Sequence, residues 1–127
     1  MSGSHRFRRS QHIRRRRDFA CVFAETRAQR GRRLDIRLYL RGEGPPRLGL
    51  VVSRRSGNAP RRNRIKRRIR EIFRQHPEAF APGSDLVVLA RGHEAATCSF
   101  QELETELLEL VARARDSGRS RRRGRRG

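Results

Sequence analysis

The stretch RLGLVVSRRSGNAPRRNRIKRRIREIFRQH, residues 47–76, predicts a strand, a short loop and a long helix in direct succession. Apolar residues alternate in its first part, which is the pattern of a half-buried strand. That strand should cover about 47–54, with a buried face formed by Leu48, Leu50 and Val52. The run RSGN, residues 55–58, then predicts the loop that ends it.

The helix in this stretch has recognisable start and stop signals. Asn58 is a residue type that caps helix N-termini, and Pro60 falls in the first turn, where a missing N–H costs nothing. Pro77 disfavours helical geometry at the residue before it. The pattern therefore predicts a helix over about 59–76.

Apolar and cationic side chains divide this helix into two faces. The helical spacing of the apolar residues predicts a buried face formed by Ile65, Ile69, Ile72 and Phe73. The opposite face and its flanks hold Arg62, Asn63, Arg64, Lys66, Arg67, Arg70 and Arg74. A solubilising surface normally mixes charges of both signs, but the only acid on this helix is Glu71. The pattern favours a polyanionic partner over a merely solvated helix.

Two elements are predicted before this stretch. A helix over about 14–26 places three apolar residues on one face, Phe19, Val22 and Phe23. The run RLDIRLYLR, residues 33–41, alternates as a half-buried strand does. Because the turn-like run GEGPP, residues 42–46, joins this strand to the next, we expect the two strands to pair as an antiparallel hairpin.

Two further elements are predicted after it. The nearly continuous apolar run DLVVLAR, residues 85–91, indicates a strand buried on both faces. Ser99 and Glu102 form a capping box for a last helix over 100–114, whose acidic residues suit a structural role better than RNA contact. The order α–β–β–α–β–α predicts an α+β fold with helices packed on a sheet.

The charge of the chain also indicates a polyanionic partner. Its 127 residues suit one domain, and 33 basic against 13 acidic residues give a formal net charge of +20. Since such a charge repels itself in the folded state, nucleic acid or an anionic membrane surface is the expected partner.

The composition restricts the setting of the protein. No apolar run approaches the roughly 20 residues of a membrane span, and no signal-peptide core follows the basic first residues. We therefore expect a cytoplasmic protein with Cys21 and Cys98 as reduced thiols. The four histidines are scattered singly, so no protein-bound metal is expected.

Three segments are expected along the chain. Residues 1–12 are polar and basic without periodicity and predict a flexible arm. Residues 13–115 are expected to form one folded domain that binds RNA. Residues 116–127, DSGRSRRRGRRG, contain nothing apolar to bury and predict a disordered tail.

The run GNAPRRNRIKRRIRE, residues 57–71, closely resembles the RNR signature of the bacterial ribonuclease P protein family. Three other runs are similar to parts of that family in the same order, namely IRRRRDFACVF at 13–23, PRLGLVVSRR at 46–55 and DLVVLAR at 85–91. The resemblance covers about residues 13–112. Pro60 and the arginine-rich ends depart from the usual pattern.

The resemblance implies a function. The protein would be the small subunit of an endoribonuclease that removes the 5′ leader from precursor tRNA, with catalysis carried by a large RNA. The reaction would need Mg2+ bound mainly by that RNA, with no cofactor on the protein, no membrane and no protein partner. The implied fold is an α/β sandwich with a left-handed βαβ crossover, contrary to the usual handedness.

The resemblance also implies two binding sites and no catalytic or metal-binding residues in the protein. The residues that would contact the catalytic RNA are Arg62, Asn63, Arg64, Lys66, Arg67 and Arg70. A cleft between the first helix and the sheet would bind the single-stranded leader. The residues that would line it are Phe19, Phe23, Arg54, Arg55 and Arg91. Spacing alone favours both phenylalanines as core residues, and it is the resemblance that favours the cleft.

Other functions remain open at the level of sequence. A ribosomal or other structural RNA-binding protein fits the composition equally well. A nuclease in its own right would need clustered carboxylates or a histidine pair, whereas Asp18, Asp35 and Asp85 stand singly. A protein that compacts DNA or lies on a membrane is less favoured, because the basic helix lacks a broad apolar face for membrane insertion.

Overall fold

The computed structural model describes residues 12–124, with side chains described for residues 12–117. Its four-stranded sheet has the order β1-β2-β4-β3 and consists of β1 (Gln29–Arg30), β2 (Leu34–Leu40), β3 (Arg47–Val52) and β4 (Ser84–Ala90). The β1–β2 and β2–β4 pairs are antiparallel, whereas β3 and β4 run parallel. The mixed α+β class is as predicted.

The predicted hairpin of the second and third strands is wrong, because β4 lies between β2 and β3. The core of β4, Leu86–Val88, is almost completely buried. At the centre of the sheet, β4 has a neighbouring strand on each side and is covered on both faces. If β2 and β3 paired with each other as a hairpin, β4 would lie at the edge of the sheet. The 42–46 turn instead folds back on the start of β4, where the Gly83 amide donates to the carbonyl oxygen of Gly44 over 2.7 Å.

The helices are α1 (Arg16–Glu25), α2 (Ala59–Gln75), α3 (Glu94–Thr97) and α4 (Phe100–Gly124). The predicted start of α2 is confirmed, since the Arg61 amide donates to Asn58 Oδ1 over 3.1 Å and Pro60 lies in the first turn. Helix α2 connects the parallel strands β3 and β4, which makes the expected βαβ unit. The left-handed sense of this crossover stays a prediction.

The capping box of α4 is confirmed by two reciprocal hydrogen bonds of 3.0 Å between Ser99 and Glu102. However, α4 continues to Gly124, so the backbone of 116–124 is helical where a disordered tail was predicted. Arginine has a high helix propensity, and cations near a helix C-terminus interact favourably with the helix dipole. Of the predicted flexible arm 1–12, all but His12 lies outside the described residues.

The sheet separates two apolar clusters. The main core packs α2, α3 and α4 on one face of the sheet, and the predicted apolar face of α2 is buried there. The other face carries a small cluster under α1, formed by Ile13, Val22 and Val87. Strand β3 is an edge strand, and its outer side is partly covered because the Ile13 amide donates to the carbonyl oxygen of Leu48 over 3.0 Å. The second face is therefore only partly covered and leaves room for a binding surface.

Candidate nucleic-acid interface

The six predicted RNA-contacting residues of α2 lie outside the main core. The side chains of Asn63, Arg64 and Arg67 are exposed, whereas Arg62, Lys66 and Arg70 are half-buried along one flank of the helix. Within residues 12–117, none of the five cations in this set forms an ion pair with a carboxylate. Their charge is therefore free of acidic partners in this part of the chain, as an anion-binding surface requires.

Two other arginines of α2 have intramolecular partners. Arg68 Nη1 donates to the carbonyl oxygens of Ala95 and Cys98, over 3.2 and 2.6 Å, and so ties α2 to α3 and the residue that follows it. Arg74 is paired with Glu71, and its hydrogen bond holds the pKa of that carboxyl below its usual range. The sequence placed Arg74 on the cationic face, but the pair offsets its charge.

A cavity of about 160 Å³ joins the flank of α2 to the other face of the sheet. Lys66 and Arg70 line one side, Phe19 and His12 line another, and residues 48–50 of β3 lie along it. Burial, and then the charges of Arg70 and Arg14, lower the pKa of His12. The two sites implied by the resemblance therefore meet at this cavity.

The two predicted cleft phenylalanines differ in their surroundings. Phe19 is half-buried and packs over Gly49, where an added Cβ would lie 2.7 Å from Phe19 Cε1. Phe19 thus contributes to the small cluster under α1 as well as to the cavity wall. Phe23 is 38% exposed, and the guanidinium carbon of Arg37 lies 4.9 Å from its ring centroid. Phe23 can therefore offer an aromatic surface to a ligand.

Arg37 is a candidate site residue that the motif comparison missed. Its Nη1 donates to the carbonyl oxygen of Thr26 over 2.5 Å and more weakly to that of Phe23 over 3.4 Å. These bonds satisfy carbonyl groups at the end of α1, which lack partners within the helix. The alternation of apolar and polar residues in β2 places Arg37 on the side of the strand that faces away from the main core. This alternation is the sequence feature from which Arg37 could have been predicted as a site residue.

The remaining cleft candidates lie together at one end of the sheet. Arg54 and Arg55 are exposed in a short 3-10 helix after β3, and Arg91 follows β4. The Ser56 hydroxyl donates to the carbonyl oxygen of Ala90 over 3.2 Å, which holds the 3-10 helix against the end of β4. Because β3 and β4 are parallel and both finish at this end of the sheet, the three arginines that follow them lie at the same end.

The charge of Arg91 is partly offset within the chain. Its Nη2 lies 3.2 Å from Asp35 Oδ1, and the Arg91 side chain is 55% exposed whereas that of Asp35 is 11% exposed. The two residues are 56 positions apart in the sequence, so sequence reasoning could not predict this pair. Arg91 therefore contributes less free charge to the cleft than Arg54 and Arg55, for which no ion pair is found among the described residues.

The carboxylates on the face beneath α1 are engaged by arginine. Asp85 is 2% exposed, and Arg41 and Arg47 donate to it over 2.6–2.8 Å. Arg47 also lies 3.5 Å from Asp18.

Among the described residues, no group of three or more histidine, cysteine or acidic side chains is placed to hold a metal ion. None of the helices in that part of the chain combines the length and apolar character needed to cross a membrane.

Comparison with known proteins agrees with this arrangement. Residues 7–115 match the family model described as Ribonuclease P. The ribonuclease P protein component of Thermotoga maritima is 36% identical over 110 residues, covering 84% of this chain and 94% of that protein. The corresponding protein of Shouchella clausii is 35% identical over 109 residues, covering 85% and 88%.

Solved structures give the same result. The ribonuclease P protein from Thermotoga maritima superposes with a TM-score of 0.72 at 34% identity, covering 80% of this chain and 96% of that one. The Staphylococcus aureus protein gives a TM-score of 0.70 at 27% identity, covering 82% and 94%. By sequence and by fold, the chain belongs to the bacterial ribonuclease P protein family.

Proposed function

We propose that this protein is the RNA-binding subunit of a ribonuclease P ribonucleoprotein that removes the 5′ leader of precursor tRNA. Helix α2 binds the catalytic RNA, and the partly open face of the sheet beside α1 binds the single-stranded leader. The observation that supports this most directly is the cavity shared by Lys66, Arg70 and Phe19, because it makes the cationic helix continuous with the aromatic face. A subunit with that geometry can hold both RNAs at once.

The chemistry of α2 suits a structured RNA. Guanidinium groups such as those of Arg64 and Arg67 bind phosphate oxygens through paired N–H donors. Asn63 is exposed and carries both a donor and an acceptor, so it can bind a base edge or a 2′-hydroxyl. The helix therefore supplies charge together with one group able to recognise RNA.

The chemistry of the cleft suits a leader of variable sequence. A base stacked on Phe23 gains about 1–3 kcal/mol whatever its identity, since every base has a π-face. Arg54 and Arg55 can then hold the phosphates that follow along the strand. Binding of this kind accepts many leaders, which a tRNA-processing enzyme needs.

The protein itself offers little to a catalytic metal ion. Mg2+ prefers carboxylate oxygens, but Asp85, Glu106 and Glu71 are each held by arginine. Among the described residues, no group of three or more acidic, histidine or cysteine side chains is placed to hold Mg2+. We propose that Mg2+ and the hydrolysis belong to the RNA subunit, with the protein positioning the substrate.

The test is precursor-tRNA cleavage by a bacterial ribonuclease P RNA at low Mg2+ concentration, with and without the protein. We expect correct 5′ processing only when both are present. Arg64→Ala with Arg67→Ala should abolish most of the stimulation. Arg30→Ala with Arg32→Ala is the matched control. It also removes two exposed cations, but these lie at the β1 edge of the sheet, which is opposite the β3 edge.

The outcome separates this function from its main competitor. Tight binding to the RNA without stimulated cleavage would leave a ribosomal or general RNA-binding protein as the better interpretation. Equal losses in the α2 variant and the β1-edge control would show that only total charge matters, and the assignment of α2 would then be wrong.

A further inference from the structure

Asp35 is an acid beside a group of arginines that the proposed function assigns to the leader cleft. It lies in β2, and its side chain is mostly buried. In the register of the sheet it is opposite Leu89 of β4, and Arg91 is two positions further on, so both lie on the same side of the sheet. Diagonal neighbours of this kind are within reach of long side chains, which accounts for the 3.2 Å between Arg91 Nη2 and Asp35 Oδ1.

The pair holds Arg91 by charge and not by a hydrogen bond. Asp35 Oδ1 is buried and has no hydrogen-bond partner among the described residues. A phosphate offers a guanidinium better geometry, because its oxygens can accept paired N–H donors. The Arg91 side chain is more than half exposed, so it has room to turn from the carboxylate to a phosphate. The ion pair is therefore a restraint against which RNA competes.

The backbone at Arg91 is fixed beside the other arginines of the cleft. The Ser53 hydroxyl donates to the carbonyl oxygen of Arg91 over 3.2 Å, and the Ser53 amide donates to that of Ala90 over 3.1 Å. Arg54 and Arg55 follow Ser53 directly, and within residues 12–117 neither forms an ion pair with a carboxylate. Of these three arginines, Arg91 is the one whose charge an acid opposes.

We propose that Asp35 is a positioning residue that weakens the hold of the cleft on the leader, because it draws Arg91 away from the phosphates of that strand. The inference rests on the proposed function, which assigns this end of the sheet to the single-stranded leader. Asp35 acts through Arg91 and need not touch RNA itself. A cleft restrained in this way releases the leader more readily after cleavage, and product release limits the turnover of many enzymes.

The experiment removes the acid and keeps its size. Asp35→Asn is compared with the unaltered full chain, each assembled with the catalytic RNA, and affinities for precursor and mature tRNA are measured over a salt series. Glu43→Gln is the matched control, because it removes one exposed acid from the turn after β2, at the end of the sheet where β4 begins and away from Arg91. Thermal unfolding shows whether each variant keeps its fold.

We expect Asp35→Asn to bind precursor tRNA about 1.4- to 5-fold more tightly, which is the range that one exposed ion pair contributes. The slope of log affinity against log salt should steepen by about 0.7, because Arg91 then neutralises one further phosphate of a single strand. Affinity for mature tRNA should not change, since it has no leader. An equal gain with Glu43→Gln would show that only total charge matters, and would overturn the inference.

Two arginine variants test whether Asp35 acts through Arg91. In the unaltered chain, Arg91→Ala should flatten the salt slope less than Arg55→Ala does, and this comparison does not depend on the stability of Asp35→Asn. With Arg91→Ala in place, adding Asp35→Asn should leave precursor affinity unchanged. Equal slopes for the two arginine variants, or a gain that persists without Arg91, would contradict the assigned role.

Failure of this inference is distinguishable from failure of the proposed function. If the unaltered protein gives the assembled enzyme no preference for precursor over mature tRNA, the leader cleft is wrong and the proposed function fails with it. If that preference exists and Asp35→Asn does not change it, only the role of Asp35 is wrong.

Discussion

Replacing Arg67 and Arg70 together with alanine should flatten the salt dependence of binding to the catalytic RNA. Neither side chain forms an ion pair with a carboxylate within residues 12–117, so each can neutralise one phosphate. Each such contact contributes about 0.7–0.9 to the slope of log affinity against log salt, so the slope should fall by about 1.4–1.8. Between about 50 and 200 mM salt, the advantage of the unaltered protein should shrink roughly 7- to 12-fold.

The same helix supplies a control with the same charge but a different role. Arg68 donates to the carbonyl oxygens of Ala95 and Cys98, so Arg68→Ala should lower the free energy of unfolding by about 1.5–3 kcal/mol. Its effect on the salt slope should be negligible. Filter-binding titrations at several salt concentrations measure the slopes, and urea unfolding measures the stabilities.

One result would refute the reasoning. That result is a slope that Arg68→Ala flattens as much as Arg67→Ala alone does. RNA binding would then depend on the total charge of α2 and not on its exposed cationic face. A slope unchanged in the Arg67 and Arg70 double variant would exclude that face directly.

Three further predictions test the other parts of the molecule. Phe23→Ala should weaken binding of precursor tRNA by about 1–3 kcal/mol and leave mature tRNA unaffected, in paired titrations; equal losses would indicate a structural role for the ring. Gly49→Ala should destabilise the fold by about 1–3 kcal/mol in thermal unfolding, because its methyl group would meet Phe19 at 2.7 Å, and an unchanged Tm would disprove that contact. The hydrogen bond to Glu104 raises the pKa of His76. Protonated His76 therefore stabilises the fold below pH about 6.5, and this contribution is lost as pH rises through the raised pKa; His76→Gln should remove that pH dependence, measured by urea unfolding between about pH 6 and 8.

Local signals were sufficient for the helix that carries the proposed RNA face. Its cap at Asn58, its first-turn Pro60 and its apolar repeat act over a few residues, so the sequence alone located α2 to within one residue. The pairing of strands is a non-local choice, and the proximity of β2 and β3 along the chain predicted the wrong neighbour. Elements as short as β1 and α3 carry too few residues for any periodicity.

The same distinction applies to the candidate site. Helical spacing placed Arg70 but not Arg68 on the predicted cationic face. It could not show that Arg68 is anchored to the backbone around α3 or that Arg70 lines a cavity. The anchoring of Arg68 depends on the position of residues 95–98, about 30 places further along the chain. The pairing of Arg91 with Asp35 depends likewise on two strands meeting in the sheet.

The strand order that the sequence pattern missed is also what joins the two proposed sites. Because β4 takes the centre, β3 is an edge strand, and the flank of α2 reaches past it towards the opposite face of the sheet. There Lys66 and Arg70 share a cavity with Phe19, which lies over the bare backbone of Gly49. With β3 at the centre of the sheet, a flanking strand would separate the cationic helix from the aromatic face. The edge position of β3 therefore makes the cationic flank of α2 continuous with the aromatic face, which the proposed binding of two RNAs requires.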